Sequence, residues 1–250
     1  MFGVHALARR VRGRKPKKAL PAFTWPGEAT EREKHLIAKY SAYTMTGAMS
    51  QWSLLKAIEY VDRQGIPGAI VECGVWRGGN MMMAKEARQG ALPDRDIYLF
   101  DTFTGMSRPT AVDVDWRGMV ALDIAEARQR DGYNSWCYAS LDEVAGAFDQ
   151  FGLSGPDVHF RKGRVEETLK EAVALPERIA LLRLDTDWYD STKIELETLY
   201  PRLEPRGVLI IDDYGYWQGA RMAVDEYFGE RAPLLAPVDS SCRIAVKPIS

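Results

Sequence analysis

The chain has 250 residues, 46% hydrophobic and 27% charged, which suits one soluble α/β domain with extra segments. Its net charge of −2 gives no support to a nucleic-acid partner or a membrane surface. Three unpatterned cysteines, Cys73, Cys137 and Cys242, argue against a disulfide scaffold and a zinc site and fit a reducing cytoplasmic setting.

Residues 1–29 read as a basic N-terminal arm. Arg9, Arg10, Arg12, Arg14, Lys15, Lys17 and Lys18 fall close together with no acid among them. No apolar stretch follows them, as a secretory signal would require. No run elsewhere approaches the roughly 20 apolar residues of a membrane span. The arm is expected to be partly ordered, or to act as a lid or subunit contact over a cleft. Residues 30–250 read as one domain.

Thr30-Glu-Arg-Glu33 is a capping box opening a helix to about Tyr40. Gln51–Gln64 has apolar residues at helical spacing and ends at Gly65-Ile66-Pro67-Gly68. A rhythm of strand and helix then begins. Short apolar strands are expected at Ala69–Cys73, Asp96–Phe100, Asp157–Phe160, Ile179–Leu184 and Val208–Ile211. Helices are expected at Asn80–Arg88, Leu141–Phe151, Val165–Ala174, Ser191–Leu203 and Gly219–Phe228. Leu234–Val238 and Cys242–Lys247 flank a turn and read as a terminal hairpin. Alternation of this kind implies an α/β fold with a mostly parallel sheet and helices on both faces. Five βα units followed by an antiparallel hairpin is the Rossmann-like arrangement of S-adenosylmethionine (SAM) methyltransferases. Residues 102–140 are too many for a βα loop and read as a lid-like insertion.

Ligands of such sheets bind beyond the carboxyl ends of the strands. After the first strand comes Glu72-Cys73-Gly74-Val75-Trp76-Arg77-Gly78-Gly79. Its glycines let a backbone approach a ligand. A dinucleotide site would show GxGxxG, whereas Glu72 would repel a pyrophosphate and accept the ammonium of an amino-acid moiety. That favours SAM over NAD. Asp101, after the second strand, is placed to accept the hydroxyls of a ribose. Gly163-Arg164-Val165, after the third, offers backbone to an adenine edge. Asp185-Thr186-Asp187 follows the fourth strand and Asp212-Asp213 the fifth. Carboxylates converging there are costly unless a cation neutralises them, and oxygen ligands favour Mg²⁺ over softer metals. Trp188, Tyr189, Tyr214, Tyr216 and Trp217 offer faces to a sugar or an aromatic ring.

Four segments in order carry a resemblance: Val71–Gly79, Tyr98–Met106, Leu184–Thr192 and Ile211–Gly215. The sequence from about Tyr43 to about Lys247 resembles the macrocin O-methyltransferase family, whose members methylate sugar hydroxyls on macrolides and related natural products. The resemblance implies Mg²⁺-dependent transfer from SAM to a hydroxyl. It implies metal ligation by Asp185, Asp212 and Asp213, with Asp185 or Asp187 as general base. Cofactor contacts are implied for Thr44, Met45, Glu72, Gly74, Arg77, Gly78, Gly79, Asp101, Thr102, Ser140, Gly163 and Val165. Tyr43-Thr44-Met45 resembles the segment that closes over SAM, and Trp136–Leu141 the stretch near adenine. Tyr216 stands where some members carry His. The implied partner is a small hydroxyl acceptor, glycoside or polyphenol, and a homo-oligomer is expected. A catechol or phenol methyltransferase, an NAD-type oxidoreductase and a non-catalytic SAM-binding protein are the alternatives.

Overall fold

The computed structural model describes residues 24–91, 94–171 and 175–249. The basic stretch from Arg9 to Lys18 lies outside the described residues. Two helices come first, α1 (Glu31–Tyr40) and α2 (Ala48–Arg63). The capping box forms as expected: the Thr30 hydroxyl accepts from Glu33 N, and the Glu33 carboxylate accepts from Thr30 N. Two of the helix's orphan donors are thereby satisfied.

The core alternates β1 (Ala69–Cys73), α3 (Gly79–Ala87), β2 (Ile97–Asp101), then, after an insertion, α5 (Leu141–Gln150) and β5 (Val158–Lys162). It continues with α6 (Val165–Thr168), β6 (Ile179–Leu184), α7 (Tyr189–Leu199), β7 (Leu203–Ile211), α8 (Gln218–Phe228), β8 (Ala236–Pro237) and β9 (Arg243–Val246). The strands make one seven-stranded sheet in the order β5-β2-β1-β6-β7-β9-β8. The first five run parallel, and β9 pairs antiparallel with β7 and β8. The α/β architecture read from the sequence is therefore the observed one. Helix α6 is shorter than expected. It is one turn rather than ten residues, because Lys170 and Glu171 bond back three residues instead of four and tighten the chain out of the helix.

Strand residues alternate between two packed layers. Ile70, Leu181, Val208 and Ile210 face a layer holding α1, α2, α3 and α5. Val71, Cys73, Leu182, Leu184, Leu209 and Ile211 face a layer holding α7 and α8. Burying each such aliphatic side chain contributes about 1.5–3 kcal/mol. Glu72 and Arg183 continue the first set, at the carboxyl ends of β1 and β6, and they are register partners. Apolar packing thus gives way to a buried ion pair where the strands end.

The sheet order reverses between β1 and β6, because β2 and β5 lie to one side and β7 to the other. A crevice is expected at that switch point. The insertion is structured along the rim of this crevice. It holds α4 (Ala121–Arg128) and a short hairpin, β3 (Gln129–Arg130) with β4 (Tyr133–Asn134).

Candidate active site

Two connected depressions open at the switch point. The larger, with about 670 Å³ of empty space reaching into solvent, runs from the β1 and β2 ends to the β5 and β6 ends. Gly74, Asp101, Thr102, Gly163, Val165 and Asp185 line it. The second, about 490 Å³, is lined by Thr44, Thr46, Asn80 and the four aspartates of the β6 and β7 ends. Met45, Trp76, Asp185 and Asp187 belong to both, so the two form one bent cleft.

The turn after β1 fits the cleft because it lacks side chains where space is short. Gly74 has φ +80, and a Cβ there would lie 1.9 Å from the Asp185 carbonyl oxygen. Gly79 packs directly on the backbone of Tyr43, and Gly78 on Val144 and Phe148. These last two shape the turn from behind and do not line the cleft. Arg77 points along Tyr43 and donates to the Ala42 carbonyl at 3.5 Å, also off the cleft. Asp101 meets the cleft and fixes this turn as well. Its carboxylate accepts from Val75 N at 2.9 Å, Trp76 N at 3.0 Å and Phe103 N at 2.8 Å. Burial raises its pKa above the usual value, and the backbone donors oppose that rise.

Ser140 does not face the cleft. It is the N-cap of α5, locked in a capping box with Glu143, so its hydroxyl is committed to the helix end. Cys137, three residues earlier, has φ +51 and lines the cleft instead.

Glu72 is fully buried. Asn80 Nδ2 donates to its Oε1 at 2.9 Å and Arg183 Nη1 at 2.7 Å. Its Oε2 has no partner. Arg183, a lone cation in the apolar run Ile179–Leu184, was not singled out in the sequence. It also holds Asp185 at 2.5 Å, Asp212 at 2.7 Å and the Thr46 hydroxyl at 2.9 Å. The available signal was its place opposite Glu72 on neighbouring strands.

The carboxylates regroup relative to expectation. Oxygens of Asp185, Asp187 and Asp213 all lie within 4.8 Å of one another. Asp212, expected beside Asp185 and Asp213, is outside this trio, and its carboxylate accepts from Arg183 Nη2 at 2.7 Å. Asp187 enters by adopting a left-handed backbone, φ +70, which aims it back at its neighbours. Aspartate tolerates this region better than most residues. Burial pushes the Asp185 carboxyl up to about 7, with Arg183 opposing and Asp213 adding to the shift. Asp187 and Asp213 rise well above the ordinary range through burial first; a hydrogen bond with Asp213 opposes the rise at Asp187 while Asp185 adds to it, and Asp187 and Asp212 add to the rise at Asp213. Asp213 Oδ2 is buried with no hydrogen-bond partner among the described residues. Three crowded carboxylates with an orphan oxygen match the donor set of a hard divalent cation. Beneath them, Thr186 donates its hydroxyl to the buried Glu195 at 2.9 Å and steadies the loop.

Most of the aromatic set does not face the cleft. Trp188 and Trp217 are buried against Trp136, with ring centroids 5.0 to 6.2 Å apart. Tyr189 and Tyr214 donate to Glu226 and Asp225. Tyr216, 38% exposed, is the member left open to solvent. The tryptophans instead fasten the insertion to the sheet. Trp188 Nε1 donates to Ser107 O, and Asp113 accepts from Tyr189 N at 2.8 Å, at the first turn of α7.

A family model described as macrocin-O-methyltransferase (TylF) matches residues 7–244. The chain is 37% identical over 189 residues to an 8-demethyl-8-(2,3-dimethoxy-alpha-L-rhamnosyl)-tetracenomycin-C 4'-O-methyltransferase of Streptomyces olivaceus, covering 75% of this chain and 68% of that protein. It is 34% identical to the mycinamicin III 3''-O-methyltransferase of Micromonospora griseorubida, covering 74% and 70%. Among solved structures, the O-methyltransferase NovP superposes with a TM-score of 0.70 at 30% identity, over 83% of each chain. With the SAM-methyltransferase sheet, the cleft at its switch point and these matches together, the chain belongs to the macrocin O-methyltransferase family and is a SAM-dependent O-methyltransferase.

Proposed function

We propose that this enzyme methylates a sugar hydroxyl of a glycosylated natural product, with a divalent cation, Mg²⁺ by donor chemistry, at Asp185, Asp187 and Asp213. The observation that carries this is the meeting of those three carboxylates where the two arms of the cleft join. The printed activities of the two relatives supply the acceptor class, one rhamnosylated and one a mycinamicin.

In this reading the larger arm takes SAM. Glycine backbone at Gly74 and Gly163 admits the adenosine, beside Asp101 and Val165. Thr44 and Met45 flank the amino-acid end, with the orphan Glu72 Oε2 as a nearby acceptor. SAM supplies a sulfonium methyl, which an oxygen nucleophile takes by in-line displacement. The cation supplies positive charge that makes a hydroxyl more acidic and orients it. The chain's part is positional. Asp185, held by Arg183, and Asp213 fix the acidic corner. Asp187 would take the hydroxyl proton at the carboxylate oxygen it does not give to the cation, a general-base role worth about 10²–10⁴ in rate. Tyr216 and Met45 are exposed and offer contact surface to the acceptor.

Isothermal titration with S-adenosylhomocysteine (SAH) tests the cofactor half, on wild type and Asp101→Asn. Binding in the first and loss in the second is expected. SAH release is then followed with mycinamicin III, the rhamnosylated tetracenomycin and a plain catechol. Turnover on the glycosides and none on catechol is expected. Preferential turnover of catechol would replace the sugar reading with the phenol one.

A further inference from the structure

Thr46 and Asp212 belong to opposite walls of the cleft, yet one side chain reaches both. Arg183 is 1% exposed and both of its terminal nitrogens are engaged. Nη1 binds Glu72 and Asp185, while Nη2 binds Asp212 and the Thr46 hydroxyl. Thr46 is held from its other side by Asn80 Nδ2 at 3.0 Å, and the same amide donates to Glu72. The Thr44 hydroxyl reaches Asn80 Oδ1 at 3.4 Å and accepts from Thr46 N at 3.0 Å. The segment that contributes Thr44, Met45 and Thr46 to the cleft is thereby tied to the acidic corner through two side chains.

We propose that Arg183 is a positioning residue through which SAH and a divalent cation bind with positive coupling. The proposal rests on the cofactor and metal assignments above. A ligand that holds residues 44–46 down keeps the Thr46 hydroxyl on Nη2. The planar fork is then fixed, and with it the carboxylates of Asp185 and Asp212. One ligand therefore pre-organises what the other must order, and linkage makes the effect reciprocal. Because SAH carries no sulfonium charge, direct repulsion of the cation is minimised.

The probe is Mn²⁺, with free ion read by electron paramagnetic resonance, in the presence and absence of saturating SAH. In wild type, SAH should tighten Mn²⁺ binding at least about fivefold, the lower end of typical coupling. Thr46→Val removes the acceptor and should abolish that gain. Thr46→Ser keeps the hydroxyl and should restore the gain. Arg183→Lys keeps a charge but loses the fork, and should abolish the gain in any folded preparation. Equal Mn²⁺ affinity with and without SAH in wild type would overturn the coupling, as would an undiminished gain in Thr46→Val. A wild-type chain that binds neither SAH nor Mn²⁺ would instead remove the assignments beneath it, a different and recognisable failure.

Discussion

The turns after β1 and β6 leave neighbouring strands and face one cleft, but they meet it by opposite means. The β1 turn makes space. It bends through left-handed positions at Gly74, Trp76 and Gly78, and Asp101 clamps its amides from β2. The β6 turn places charge. Its left-handed position is Asp187, a residue whose side chain is the purpose of the bend. A turn that makes space depends on missing atoms and on the clamp at Asp101. A turn that places charge depends on counter-charge, which, among the described residues, Arg183 supplies to Asp185 and Asp212, with no ion pair to Asp187 or to the orphan oxygen of Asp213. The part left uncompensated is where a cation fits.

The comparison breaks most directly at Asp213. Asp213→Asn keeps the volume and removes one charge from the uncompensated group. Turnover should fall by more than the about 10–100-fold lost when only a metal ligand's supporting partner is removed, while SAH affinity by titration stays within the wild-type range. A parallel loss of SAH affinity would mean that the two turns are not separate in function. The next effect is on the other turn. Gly74→Ala places a Cβ 1.9 Å from a carbonyl oxygen at φ +80. Urea unfolding should show a loss of about 3 kcal/mol or more, as expected for overpacking joined to backbone strain. An unchanged midpoint would show that the β1–β6 contact is looser than drawn.

How legible each turn was in the sequence follows from the same contrast. Glycines spaced after an apolar strand announce a backbone need, so the β1 turn was readable. Strands, helices and the terminal hairpin followed from apolar runs and their punctuation. The acids at the strand ends were readable too, but not which of them converge. That depended on the Asp187 backbone turning left-handed, which leaves no periodic mark. Ser140 misled because a capping serine and a ligand-facing serine look alike until Glu143 closes the box. The tryptophans misled because aromatics near a site serve equally as walls or as fasteners, and here Trp136, Trp188 and Trp217 fasten the insertion.

A third effect, smaller, sharpens the difference in charge. The raised carboxyls of the β6 and β7 ends must lose protons before a cation binds. Burial first raises Asp185 and Asp212 to about 7; Arg183 opposes both rises, while Asp213 adds to the first and Asp185 to the second. Asp187 and Asp213 are raised further. Mn²⁺ affinity should therefore fall as pH drops from 8 to 6, by about tenfold for the Asp185 proton and by more as the other two carboxyls compete. A flat profile would mean that the carboxyls which titrate near neutrality are not among the ligands.

The smallest effect sets these acids against one outside the cleft. Glu33 is only partly buried; that burial opposes its ionisation, yet Lys56, Thr30 and Trp52 all bond its carboxylate and bring it down to about 2. Its folded value lies below the unfolded one near 4.5, so its stabilisation is present above that pH and is lost as pH falls toward 2. Asp185 and Asp212 have the opposite sign. Their folded values lie above the unfolded ones, so the folded state loses stability as pH rises from about 4 through 7. Urea midpoints across pH should thus decline on both limbs, for two separate causes. Glu33→Gln should flatten the acid limb by about 1 kcal/mol, the scale of one charged hydrogen bond, and leave the neutral limb alone. Mn²⁺ should lift the neutral limb and leave the acid limb alone. If Mn²⁺ raised both limbs equally, its binding would not discriminate between an acid that has its counter-charge and acids that lack one.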